Sequence, residues 1–252
     1  MKKFIALLTL LTFALVAASA APLQKAIPAT ALNSDYKTQP INESLTIIEK
    51  RVRGAAVKVE RLNGGHGSGS LIKYKGSHFV LTAQHVADGV LGQTYLIENS
   101  RNQKLAVLIY SDELHDIALL YLAKHEHLIR TKPMPYKPAK GIPPIGTLIN
   151  YSGHPADHSL LTFRGSIAGY EFERGGVTQI ILNVFGWFGS SGSVIYNEHG
   201  KIVGILWGID VDYYREQINN NIVWVTPIQN FDIDLAIRPL CTEIPHLVEA
   251  CR

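Results

Sequence analysis

Residues 181–208 read ILNVFGWFGSSGSVIYNEHGKIVGILWG. The centre of this stretch, Gly189-Ser190-Ser191-Gly192-Ser193, has the composition of a flexible linker. Its flanks do not. An apolar, aromatic segment leads in, and two short β-branched runs, GSVIYNE and KIVGILWG, lead out with a polar turn between them. Adjacent serines set between glycines inside a run of strands belong to a shaped turn, because glycine adopts backbone angles that a side chain resists.

Working outward, apolar residues recur with a period of two from Ala55 onward. AAVKVERL, SGSLIKYK, HFVLTA, QTYLIE, KLAVLIYS and IALLYLA precede a Pro-rich interval, residues 131–144. TLINYSG, LLTFRGSIAGYEFE, VTQIILNV, GSVIYNE, KIVGILWG and NIVWVTP follow it. Six short strands on each side predict an all-β chain of two six-stranded antiparallel barrels, 55–130 and 145–227, joined by the Pro-rich linker. One large sandwich would use the same strands, and strand counting does not separate the two. Ahead of the barrels, NESLTIIEKRV predicts a short helix with Asn42 as N-cap and Leu45, Ile48 and Val52 on one face. IQNFDIDLAI predicts a second helix within the tail, residues 228–252.

The first twenty residues, MKKFIALLTLLTFALVAASA, have the layout of a secretory signal peptide: a basic start, an apolar stretch and a small-residue end. The apolar stretch is shorter than the ~20 residues a membrane span needs, so no span is expected after its removal. Residues 21–54 then form an N-terminal arm or pro-segment that carries the short helix. Without Lys2 and Lys3, the 24 basic residues fall to 22 against 21 acidic ones. That balance gives no reason to expect nucleic acid or anionic lipid as a partner. The only cysteines, Cys241 and Cys251, lie in the tail ten positions apart. In an oxidising compartment they can close a local loop; two free thiols are the alternative.

Three places can carry chemistry. FVLTAQHVADGV puts His85 just past an apolar strand, SDELHDIALLYL puts Asp116 at the head of another, and FGSSGSV supplies Ser191. Taken singly, each has an ordinary structural reading. Together they are the parts of nucleophilic acyl transfer. An imidazole takes the serine proton and returns it to the leaving group, and a carboxylate holds the imidazole in the right tautomer. Two backbone N–H groups, here those of Gly189 and Ser191, then face the oxygen that becomes negative.

LTAQHV, HDIALL and GSSGS, in that order, resemble the trypsin-like (chymotrypsin-fold) serine peptidases over roughly residues 55–230. The glutamyl-endopeptidase-type and HtrA-like bacterial members are the most similar. The resemblance implies His85 as general base, Asp116 as its orienting partner and Ser191 as nucleophile, with no cofactor. It also implies a pocket bordered by Phe185, Gly186, Leu206, Trp207 and Gly208, with extended polypeptide paired along Trp207-Gly208. Several positions depart from the family pattern. Ser190 stands where trypsin has an Asp that pairs with a freshly cut N-terminus, so that activation is not expected here. Leu206 and Gly186 replace the His and Thr of glutamyl-specific members, which implies an apolar pocket and an uncharged side chain at the cleaved bond. No PDZ-like extension is expected after the barrels, nor an oligomer: the chain is expected to be a monomer.

Two other readings use the same residues. A catalytically silent peptide-binding module would keep the fold and lose the chemistry. A hydrolase of the α/β type would need Gly-x-Ser-x-Gly before a helix and its histidine last in the chain, and neither condition is met. Metal binding is not expected: His125-Glu126-His127 lacks the His-Glu-x-x-His spacing, and His154 and His158 flank a turn containing Pro155.

Overall fold

The period-two runs become the strands of two closed barrels. The computed structural model describes residues 44–252 apart from 63, 100–101, 124–130, 173–175, 213–214 and 247. The expected leader, the first part of the arm with Asn42, and His125-Glu126-His127 lie outside the described residues.

The first barrel comprises β1 (Ala56–Glu60), β2 (His66–Tyr74), β3 (Ser77–Thr82), β4 (Thr94–Glu98), β5 (Gln103–Asp112) and β6 (Ile117–Leu122). Its antiparallel order is β1-β4-β5-β6-β3-β2, and β2 closes back onto β1. Val57 and Val59 of β1 are buried while Lys58 and Glu60 between them are only partly so, as a half-buried strand requires. In β6 the alternation disappears: IALLYL has no polar residue to turn outward, and all six positions are buried.

The second barrel comprises β8 (Leu148–Gly153), β9 (Leu161–Phe172), β10 (Thr178–Asn183), β11 (Val194–Asn197), β12 (Ile202–Asp212) and β13 (Gln217–Pro227). Its order is β10-β13-β12-β11-β8-β9, again closed. The fold is therefore the pair of six-stranded antiparallel barrels of the chymotrypsin type, not a sandwich. Between the barrels, the Pro-rich interval is a stitch. Its two-residue β7 (Met134–Pro135) runs parallel to β2, and the Tyr136 N–H donates to the Lys73 carbonyl at 2.9 Å. Three residues on, the Ala139 N–H donates to the Ile202 carbonyl of β12 and the Ile202 N–H returns to Lys137, both at 2.8 Å.

Helix α1 (Ile47–Ala55) starts at Ile47 because Thr46 and Glu49 form a reciprocal capping box. The Thr46 N–H donates to Glu49 Oε2 at 2.7 Å, and the Glu49 N–H donates to Thr46 Oγ1 at 3.2 Å. The same carboxylate is buried and accepts two bonds from Arg164 of β9, one at 2.6 Å from Nη2. That guanidinium, outweighing the cost of burial, lowers the Glu49 carboxyl to about 2. At the other end of the chain, α2 (Ile233–Glu243) buries Ile233, Ala236 and Ile237 in the first barrel's core. The Cys241–Cys251 disulfide, with Cα atoms 5.2 Å apart, ties the tail to that helix.

Candidate active site

His85 sits on a single tight turn, Gln84–Val86, that leaves the end of β3. Asp116 closes the turn between β5 and β6 with φ +52°, a left-handed conformation that Asp tolerates better than most residues. The carboxylate grips the histidine twice. Its Oδ1 accepts the His85 backbone N–H at 2.8 Å, and its Oδ2 lies 2.7 Å from Nδ1. A carboxylate can only accept, so Nδ1 carries the proton and Nε2 presents a lone pair.

Ser191 lies in the loop between β10 and β11. Its hydroxyl donates to the Trp207 carbonyl at 3.3 Å, and Ser191 and His85 line one cavity of about 230 Å³. Around it, each peptide plane is turned by a specific bond. The Phe188 carbonyl accepts from the Ala156 N–H at 2.6 Å, and the Ser190 carbonyl accepts from the Ser193 N–H at 3.0 Å. In a trans peptide the N–H points opposite to its carbonyl. The Gly189 and Ser191 N–H groups therefore face away from these bonds, and neither has a partner among the described residues. Gly192, at φ +86°, has no room for a side chain: a Cβ would lie 2.1 Å from the Ser68 carbonyl oxygen and 2.2 Å from Thr82 Oγ1.

Ser68 of β2 couples this loop to the first barrel. Its N–H donates to the Ser191 carbonyl at 2.7 Å, and its hydroxyl donates to the Gly189 carbonyl at 2.7 Å. The His154 N–H donates to the same hydroxyl at 2.9 Å. Beyond His154, Ala156 and Asp157 both have positive φ, +49° and +61°, and the turn is held by an Asp157–Lys58 ion pair at 2.6 Å. That contact lowers the Asp157 carboxyl and, despite burial, raises the Lys58 ammonium.

The five residues expected to border a pocket lie in different settings. Leu206 is buried in the core of the second barrel. Phe185 is half-exposed, and its ring stacks on Phe163 at 5.4 Å between centroids. Above Gly186 the space is filled: a Cβ there would lie 2.7 Å from Val223 Cγ2 and 2.9 Å from Ile209 Cγ2. Trp207 donates its indole N–H to Gln179 at 2.9 Å and lines a second cavity, about 470 Å³, with His85, Glu113 and Asp116. From Trp207 through Gly208, β12 has outrun the four-residue β11, so one edge carries no neighbouring strand among the described residues.

Sequence reasoning missed Ser68, His154 and Ala156, whose signal lies in bonds between distant loops. It also missed Val223 and Ile209, which read as ordinary strand residues. No group of three or more His, Cys, Asp or Glu among the described residues could hold a metal.

Residues 67–205 match the family model described as a trypsin-like peptidase domain, more than half of the chain. The chain belongs to the trypsin-like peptidase family. The matched segment of this peptidase domain contains His85, Asp116 and Ser191. Solved structures with the same fold include the active form of the Rv3671c protease from M. tuberculosis. It is 15% identical, with a TM-score of 0.58, over 79% of this chain and 84% of that one. The HtrA-type protease AlgW with tripeptide is 19% identical, TM-score 0.60, over 79% and 63%. The serine endoprotease from Yersinia pestis is 21% identical, TM-score 0.57, over 76% and 65%. No curated protein matches the trypsin-like chain.

Proposed function

We propose that this trypsin-like peptidase is an exported serine endopeptidase working through an acyl-enzyme. One observation carries the reading: a carboxylate-held imidazole and two unspent N–H groups converge on the loop of a single serine. An extended polypeptide pairs with the free edge of β12, strand to strand, and brings a peptide carbonyl to Ser191. Ser191 Oγ leaves the Trp207 carbonyl by rotating about its own Cα–Cβ bond and gives its proton to His85 Nε2. It attacks the carbonyl carbon, and the oxygen that becomes negative takes the Gly189 and Ser191 N–H groups. The imidazolium, stabilised by Asp116, protonates the leaving amine as the C–N bond breaks. Water, deprotonated by His85, then cleaves the ester and restores the serine. Each oxyanion donor in such a site is worth about 3 kcal/mol of barrier. Export rests on the signal layout of residues 1–20.

A fluorophosphonate probe on the purified protein tests the mechanism. Labelling of the wild type, lost in Ser191→Ala and strongly reduced in His85→Ala, is the expected result. A folded protein that neither labels nor hydrolyses a mixed peptide library would support the silent binding module. The Ser191–Trp207 hydrogen bond favours that second reading, because it turns the hydroxyl toward a carbonyl acceptor.

A further inference from the structure

Two cavities share His85, the smaller of them also lined by Ser191, and they differ in charge. The larger is bordered by Trp207 and carries the carboxylates of Glu113 and Asp116. The smaller is bordered by Arg61, His66 and Phe188 and has no carboxylate in its wall. If the acyl portion of a substrate lies along β12 from Trp207, it fills the larger side, and the leaving portion enters the smaller one.

Arg61 reaches this cavity with donors to spare. Its Nε donates to the Val86 carbonyl at 3.2 Å and its Nη2 donates to the His85 carbonyl. Nη1 has no partner among the described residues. Asp88 lies 3.3 Å from Nε, is half-exposed and stands outside the cavity wall, so it weakens the local positive field without occupying the space. His66 commits Nε2 to the His154 carbonyl at 3.3 Å, which fixes its ring in the cavity wall. Phe188 supplies an exposed apolar side. A volume of about 230 Å³ is room for one side chain.

We propose that this cavity is a carboxylate subsite on the leaving-group side, with Arg61 as its anchor. It takes either the side chain of an Asp or Glu just past the cleaved bond or the terminal carboxylate of a short leaving peptide. The proposal rests on the peptidase reading above for the direction in which substrate lies. A guanidinium that keeps a free planar N–H face recognises a carboxylate by paired hydrogen bonds, which an ammonium does not reproduce.

The test uses peptides with one acyl portion and Ala, Asp, Glu or Lys at the first two leaving-group positions, all amidated, plus an Ala peptide with a free C-terminus. The ratio of kcat/KM, acidic over Ala, is expected near about fivefold, the worth of one partly exposed ion pair. It should fall as salt rises, drop to about one in Arg61→Gln and recover in part in Arg61→Lys. Loss of Arg61's hold on the His85 turn would lower all substrates alike and leave the ratio unchanged. A preference for acidic side chains in amidated peptides assigns the carboxylate to the side chain; a preference for the free-acid Ala peptide assigns it to the chain terminus. Binding of the same peptides to Ser191→Ala, measured by calorimetry, separates the two ideas. Equal affinity for Asp, free-acid and amidated Ala peptides overturns the subsite, whether or not the wild type hydrolyses anything. Preferential binding of the acidic peptide by a protein whose wild type never labels keeps the subsite and overturns the hydrolytic reading.

Discussion

Replacing Glu49 by Gln should make the protein less stable at neutral pH and less sensitive to acid. The substitution keeps the shape, and Gln also serves in a capping box, so the helix start survives and only the charge is lost. The carboxyl falls from 4.5 to about 2 in the folded state, chiefly through the Arg164 hydrogen bond. At about 1.4 kcal/mol per pH unit, that depression is worth about 3 kcal/mol. The Arg164 side chain is 55% exposed, so solvent screening reduces the figure to about 2 kcal/mol. A depressed carboxylate stabilises fully above its unfolded value of 4.5, and the contribution disappears as the pH falls through about 2. Urea unfolding at pH 7 should therefore place the variant about 2 kcal/mol below wild type, or about 4–8 °C lower in melting temperature. Near pH 2 the two curves should converge. Parallel stability–pH profiles for the two proteins would show that the Glu49–Arg164 contact carries no net energy, and the reasoning would fail.

Gly192→Ala forces a Cβ against the Ser68 carbonyl in a left-handed backbone, so it should cost about 3 kcal/mol or more and abolish labelling by the probe. Gly146→Ala is the control: its φ is also positive, +86°, but nothing lies within 4 Å, so it should cost only about 1 kcal/mol. Val223→Ala empties the space above Gly186 and should raise kcat/KM for Leu relative to Ala at the acylated residue by about tenfold. Unchanged selectivity in peptide assays would show that side chain to be irrelevant. Reduction of Cys241–Cys251, which closes a ten-residue separation, should lower stability by about 2–3 kcal/mol, read as a fall in melting temperature with reductant.

The barrels were legible because short β-branched and aromatic runs recur between turn residues, and a half-buried strand such as AAVKVERL alternates. The six-and-six division followed from prolines that interrupt ladder hydrogen bonds. Asn42 qualifies as a helix cap by residue type alone, whereas the Thr46–Glu49 pair, four residues further on, satisfies two backbone donors at once. His85 and Asp116 were legible through the order and flanking residues of LTAQHV and HDIALL, which carry the family resemblance, and the pairing of β3 with β6 brings them together. The surroundings of Gly186 follow a different logic. Leu206 and Gly186 are open to reading only along the chain, while the space above Gly186 is filled by Val223 of β13 and Ile209 of β12, which pair across adjacent strands. No linear pattern encodes that approach.

Ser68 has a consequence for how the molecule matures. Through one residue, the first half of the polypeptide shapes a loop that belongs entirely to the second. Ser191 leaves synthesis after Ser68, yet its loop takes this shape only once the second barrel has folded against the first. On the proposed mechanism, hydrolysis begins only when both halves have folded and met.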